Sequence, residues 1–223
     1  MRRLTATLTT TLVAILSISA TSAATASAVE GMLPINVPLT ITSGITLLMD
    51  VNGNSFACTS DTILGAVFTT DTAGTFTDLH CKGAKAFGLF SANSPFDEKE
   101  VILWGGGTIE ICLIDSVHLV FGAFMQFQKT VVVEVPAAKA KIEIKGSVVG
   151  TLSANALSKT KTAKFSQSKG AAGIKECKDE KGGVKKAQLL ASLNGGAFVE
   201  VGVEATETLS ATNGTTELEL MDI

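Results

Sequence analysis

Arginine, tyrosine and tryptophan are nearly missing from this chain. None of its 223 residues is Tyr, Trp104 is the single Trp, and Arg2 and Arg3 are the only arginines. Arg supplies the planar fork that grips phosphate, and aromatic rings supply platforms for bases and sugars. Their scarcity argues against nucleic-acid binding and weakens a carbohydrate-binding reading. A lipid-facing barrel needs aromatic girdles, and the chain scarcely has the material for them.

Catalytic motifs are also missing. No G-x-S-x-G elbow exists; Gly53-Asn54-Ser55-Phe56-Ala57 comes closest and reads as the exit of a turn. Ser158 to Lys161 and Ser166 to Lys169 match S-x-x-K, without the S-D-N and K-T-G partners. Only His80 and His118 could serve as imidazole bases. Gly105-Gly106-Gly107 lacks the G-x-G-x-x-G spacing of a phosphate cradle. Asp50 to Asn54 alternates oxygen ligands, but Ser55 and Asp61 stand where an EF-hand loop wants Gly and Glu. Asp97, Glu98 and Glu100 read as a solvated loop, and Asn213-Gly214-Thr215 as a turn. No catalytic residue, metal site or cofactor is assigned, and the chain is not read as an enzyme.

What is present begins with an export signal. Arg2 and Arg3 precede the uncharged run Leu4 to Ala20, and small residues follow to Ala26-Ser27-Ala28. Positive start, apolar middle and small-residue exit are the three parts of a secretory signal peptide. Its strongly apolar part falls short of the roughly 20 residues a membrane span needs. The expectation is a bacterial signal peptide over 1–28, cleaved to release a secreted, extracellular chain with no transmembrane segment. Residues 29–223 then read as a single β-rich domain, with a subdivision near 138 as the alternative.

Four cysteines suit that compartment: Cys58, Cys81, Cys112 and Cys177. An even count in an exported chain reads as disulfides. None lies within 20 residues of another, whereas zinc ligands come in close pairs. Three connectivities are open. Cys58–Cys81 is preferred as a link between neighbouring strands, and Cys112–Cys177 as a pin for the charged loop Lys175 to Lys181.

Charge is uneven. Past the signal, 16 Lys face 21 acids, a net charge near −5. Lys139 to Lys186 holds 12 Lys and 4 acids, while Ala187 to the end holds 6 acids and no base. The basic segment reads as a solvated strand face and a lysine-rich loop, with an anionic cell-surface polymer as the partner it would otherwise suit.

Period-two alternation dominates the rest. Ala140, Ile142 and Ile144 oppose Lys141, Glu143 and Lys145; Val199, Val201 and Val203 oppose Glu200 and Glu204. Val117 to Phe127 is apolar on both faces and reads as one covered strand carrying His118. Asn52-Gly53, Asn194-Gly195 and Asn213-Gly214 predict hairpins, and Ser43-Gly44 a fourth. Val184 to Leu193 reads as strand in preference to helix. Residues 150–185 look the loosest. The predicted fold is all-β: an antiparallel sandwich or partly closed barrel built from hairpins.

The chain also resembles a group of uncharacterised secreted β-rich proteins of high-GC Gram-positive bacteria. The matching residues are Lys145 to Gly150, Lys164 to Gln167 with Lys169-Gly170, Gly195 to Phe198 and Glu217 to Leu220, together with the Cys58…Cys81 spacing. That resemblance implies no activity and gives no residue a role. Two functions stay open: a structural, cell-surface or interaction protein, including self-association through edge strands, and a carrier of a small apolar ligand. The carrier would bind between sheets, in a gap lined by Phe121, Phe124 and Phe127.

Overall fold

Alternating apolar and polar residues can bury one face only by extending, and extended strands must find partners for their backbone groups. Here they do so almost everywhere. The computed structural model describes residues 30–50, 53–94, 100–153, 157–167 and 176–222. The signal-peptide expectation at 1–28, and the acids Asp97 and Glu98, lie outside them.

The first ten strands are β1 Glu30–Leu33, β2 Pro38–Ser43, β3 Thr46–Asp50, β4 Ser55–Cys58, β5 Ser60–Phe68, β6 Ala73–Phe76, β7 Asp78–Lys82, β8 Lys85–Ala86, β9 Phe90–Ser91 and β10 Glu100–Trp104. The rest are β11 Gly107–Asp115, β12 Val120–Phe127, β13 Val131–Val135, β14 Ala140–Leu152, β15 Thr160–Gln167, β16 Glu176–Lys178, β17 Val184–Lys186, β18 Leu189–Leu193, β19 Val199–Ala211 and β20 Glu219–Asp222. A single 3₁₀ turn, Pro136–Ala138, is the only helical element among the described residues. No helix there is long and apolar enough to cross a membrane.

All strand pairings among these elements are antiparallel, and eight strands close on themselves. The ring runs β5–β2–β19–β15–β14–β12–β11–β6 and back to β5. Its closure is slender: β6 meets β5 only at Val67↔Thr75 and Phe68↔Gly74. The fold is thus all-β with a partly closed barrel. Strands from before residue 138 (β12, β11, β6, β5 and β2) form one arc of the ring, and strands from after it (β19, β15 and β14) form the other.

Two long strands carry the barrel into a second layer. Ala140–Gly146 of β14 pairs with β13 and β18, while Ser147–Leu152 joins the ring. The turning point is Gly146, at φ +120°, where a Cβ would stand 1.9 Å from the Gln188 carbonyl oxygen. β19 likewise begins against β18 and then runs along β3 and β2. Leu48, Phe56, Ile142, Ile144 and Val201 line the space between the layers and join the main core. At another end of the core, the β1–β20 ribbon contributes buried Met32 and Leu220.

A smaller core lies outside the barrel wall. Cys112, Phe124 and Val149 face outward from β11, β12 and β14, where Cys177 and Ala187 cover them. The Cys112–Cys177 bridge, with Cα atoms 5.6 Å apart, fastens the β16–β17 hairpin there. Cys58–Cys81 also forms, Cα to Cα 5.4 Å. Both preferred pairings hold, but β4 and β7 are not hydrogen-bonded neighbours. Cys58 sits just before the bend at Thr59, and the bridge braces that corner.

Several expectations need correction. Ser43-Gly44 is no hairpin: Glu207↔Ser43 and Glu204↔Leu47 put β2 and β3 end to end along β19, with a bulge between. Asn213-Gly214 turns the chain, yet β20 pairs with β1 and not with β19. The alternation that begins at Val199 belongs to one long strand, β19, which runs on to Ala211. His118 is not on a strand. The Asp115 carboxylate accepts the N–H of Val117 and of His118, and Leu119 takes φ +51°, so β12 starts at Val120. Asn194 and Gly195 do take the positive φ pair of a type I′ turn, at +53° and +72°. Val184 to Leu193 forms strands β17 and β18, as expected. The stretch called loosest contains β15, β16 and β17.

Candidate functional site: an apolar cleft and a buried carboxyl pair

Between the two layers an apolar cleft of about 220 Å³ opens. Alternation builds its walls. Ile142 and Ile144 point inward from β14, Leu48 from β3, Phe56 from β4 and Val201 from β19. Lys141, Glu143 and Lys145 point the other way; Lys141 pairs with Glu143 at 3.1 Å and Lys145 lies 3.8 Å over the Phe198 ring. The rim carries Asp50, Asn54, Ser55 and Ser192. Asp50 accepts the Asn54 backbone N–H at 2.9 Å and its Nδ2 at 2.7 Å, which fixes the β3–β4 turn. Ser192 donates to the Gly196 carbonyl at 2.8 Å. Asp50 is the one charged side chain among the described residues lining the cleft.

The predicted gap among phenylalanines does not form as one space. Residues 121 and 127 share one phase of β12 and residue 124 the other. Phe127 joins the main core and Phe124 the outer cluster, while Phe121 is buried. The cleft takes Phe56 and Phe87 instead. Val201 had been read as an inward-facing residue, but no sequence signal tied it to β3, because the β3–β19 pairing is long-range.

Deeper in, two carboxyl groups meet. Asp61 pairs with Ser43 across β5–β2, and Ser43 with Glu207 across β2–β19. Both acids are buried, and Thr46 Oγ1 donates to Asp61 Oδ2. Burial, first, and then the Asp61 charge and hydrogen bond push the Glu207 carboxyl well above its ordinary value. Asp61 Oδ1 and Glu207 Oε2 have no protein partner. They border a void of about 30 Å³, otherwise lined by apolar side chains such as Met125 and Phe127, about the share of volume one water takes in the liquid.

The two histidines lie apart from both features. His80 Nδ1 is 3.4 Å from Glu100, and His118 Nδ1 is 2.7 Å from exposed Asp115. The His118 hydrogen bond, with the two backbone N–H groups, holds the Asp115 carboxyl below its usual range. Among the described residues no group of three or more His, Cys, Asp or Glu is arranged to hold a metal ion.

No family model, curated protein or solved structure matches the chain.

Proposed function

We propose that this is an exported carrier, which holds a small apolar ligand in the cleft between β3–β4 and β14–β18–β19. Of the two functions open from the sequence, the cleft favours this one. The observation that carries it is the 220 Å³ apolar space framed by Leu48, Phe56, Ile142, Ile144 and Val201. An enclosed cavity of about 150 Å³ lined by Leu, Ile and Phe takes up benzene; this cleft has similar walls and is open to solvent on one side. Apolar walls with a few polar rim groups are the usual make-up of a small-molecule site. The lining includes no His, Lys or Cys among the described residues, so it offers no imidazole, amine or thiol. Two disulfides suit a chain that leaves the reducing cytoplasm.

Titration of labelled protein with toluene, followed by methyl NMR, tests the reading. Methyl signals of Leu48, Ile142, Ile144 and Val201 shift together if toluene enters. The Val201→Trp variant, which fills the cleft, loses the response. Unmoved signals at millimolar toluene would overturn the proposal. Export is tested separately: secreted material carries Val29 as its first residue.

A further inference from the structure

We propose that the cleft is proton-gated: it holds its apolar ligand while the Asp61–Glu207 pair keeps a proton, and releases it once the pair gives that proton up to solvent. This deepens the carrier reading and rests on it. The observation is a shared wall. Leu48 lines both the cleft and the small void beside the carboxyl pair. On β19 one inward phase runs from Val201 in the cleft through Val203 and Ala205 to Glu207 at the void. Thr46, two residues from Leu48 on β3, donates to Asp61 Oδ2 and lies 3.0 Å from Ser43 Oγ.

Asp61 Oδ1 and Glu207 Oε2 lack protein partners, and the void has room for about one water. That is enough for a pair with one charge. A pair with two charges repels itself and calls for a fuller hydration shell. Among the described residues, the elements around the pair present one further charged side chain, Lys161 on β15. Cys81, across from Asp61, is bridged and does not titrate. β3, β7, β12, β14 and β18 bring only uncharged side chains to the void. Asp61 and Glu207 stand on β5 and β19, both in the closed ring. β3 lies outside that ring and is held by four-residue ladders to β4 and β19. Thr46 follows Asp61 through its hydrogen bond, and Leu48 follows Thr46, so hydration of the doubly charged pair displaces part of the cleft wall. Packed side chains and strands are the usual carriers of such coupling.

Methyl NMR from mildly acidic to mildly alkaline pH tests the gate, first without ligand. Ile142 and Ile144 line the cleft but not the void. Their methyls should shift with one midpoint in the native protein and stay fixed in Glu207→Gln. Met32, in the β1–β20 ribbon, reports in the same spectra that the chain stays folded. Toluene is then titrated at both ends of the range. Its affinity should fall roughly fivefold or more towards alkaline pH, the low end of ordinary coupling between sites. Glu207→Gln should bind toluene equally at both ends. Asp61→Asn, a second way to leave one acid in the pair, should flatten the response likewise. His80→Gln and His118→Gln should keep the native fall, and its loss in either would overturn the assignment to the pair. Fixed Ile142 and Ile144 methyls, or equal toluene affinity at both ends in the native protein, would overturn the gate and leave the carrier reading standing. Absence of toluene binding at every pH would overturn the carrier reading and the gate with it.

Discussion

Glu207 and Asp61 lie on one row of the barrel wall, each facing Ser43 across a ladder, and both carboxyl groups are buried in the core. Two buried carboxylates cannot both ionise cheaply, so the pair keeps a proton. Among the described residues Lys161 is the other ionisable group on that inner surface, one inward position along β15 from Ala163, which faces Glu207. The polar neighbours are Ser43 and Thr46.

The first prediction concerns pH. The folded-state value of Glu207 is raised, so the folded protein holds a proton that the unfolded chain releases. Its contribution to stability is complete below the ordinary Glu value and is lost as pH rises through the raised one. Chemical denaturation from mildly acidic to mildly alkaline pH should show a falling midpoint. Glu207→Gln cannot ionise and should flatten that fall. Glu207→Ala leaves Asp61 without this partner and should cost about 1–3 kcal/mol at acidic pH. A slope equal in wild type and Glu207→Gln would refute the shared proton.

The second prediction separates the two bridges. Cys112–Cys177 spans 65 residues and Cys58–Cys81 spans 23. In the chain-entropy account, removing them costs about 4 and about 3 kcal/mol respectively. The structural consequences differ more than the energies. Apart from its bridge, the β16–β17 hairpin is held by the Leu113↔Lys178 pair, by Lys185 on Glu110 at 2.9 Å and by Thr72 on Glu180. In the Cys112→Ala/Cys177→Ala variant, hydrogen exchange should quicken in β16 and β17 while β15 and β19 stay protected. Uniform loss of protection would mean the hairpin is integral to the barrel.

Much of the fold was legible because the physics is local. Asn194-Gly195 asks for positive φ, and the alternation from Ala140 onward asks for a strand with one face buried. The carboxyl pair was legible too, though missed. Val201, Val203, Ala205, Glu207, Leu209 and Ala211 form one uninterrupted phase, and Glu207 sits in it as an acid on an apolar face. Following the alternation only as far as Glu204 hid that. Lys161 falls in phase with Ala163 and Phe165 in the same way. His118 failed for another reason: the carboxylate of Asp115 competes for backbone N–H groups, and turn chemistry overrode an apolar run. The cleft was not legible, because it depends on β3, β14 and β19, which lie far apart in the chain, meeting in space, and alternation fixes a residue's face without naming its partner strand.

The last prediction tests the corner that makes the cleft. β14 leaves the barrel at Gly146, where φ is +120° and the Gln188 carbonyl oxygen occupies the space a Cβ would need. The same backbone is tied on both sides: Ser147 N–H donates to Gln188 O at 3.0 Å, and Gln188 N–H donates to Ser147 Oγ at 3.1 Å. Neither partner can retreat without breaking the other bond. Gly146→Ala should therefore cost more than about 4 kcal/mol, beyond the range of ordinary substitutions. Gly182→Ala is the control. It too has positive φ, +78°, but open space around it, so only backbone strain of about 1–2 kcal/mol applies. Urea midpoints of the two variants decide the matter: equal losses would mean that β14 does not need its close approach to Gln188, and that the wall carrying Ile142 and Ile144 is set by something else.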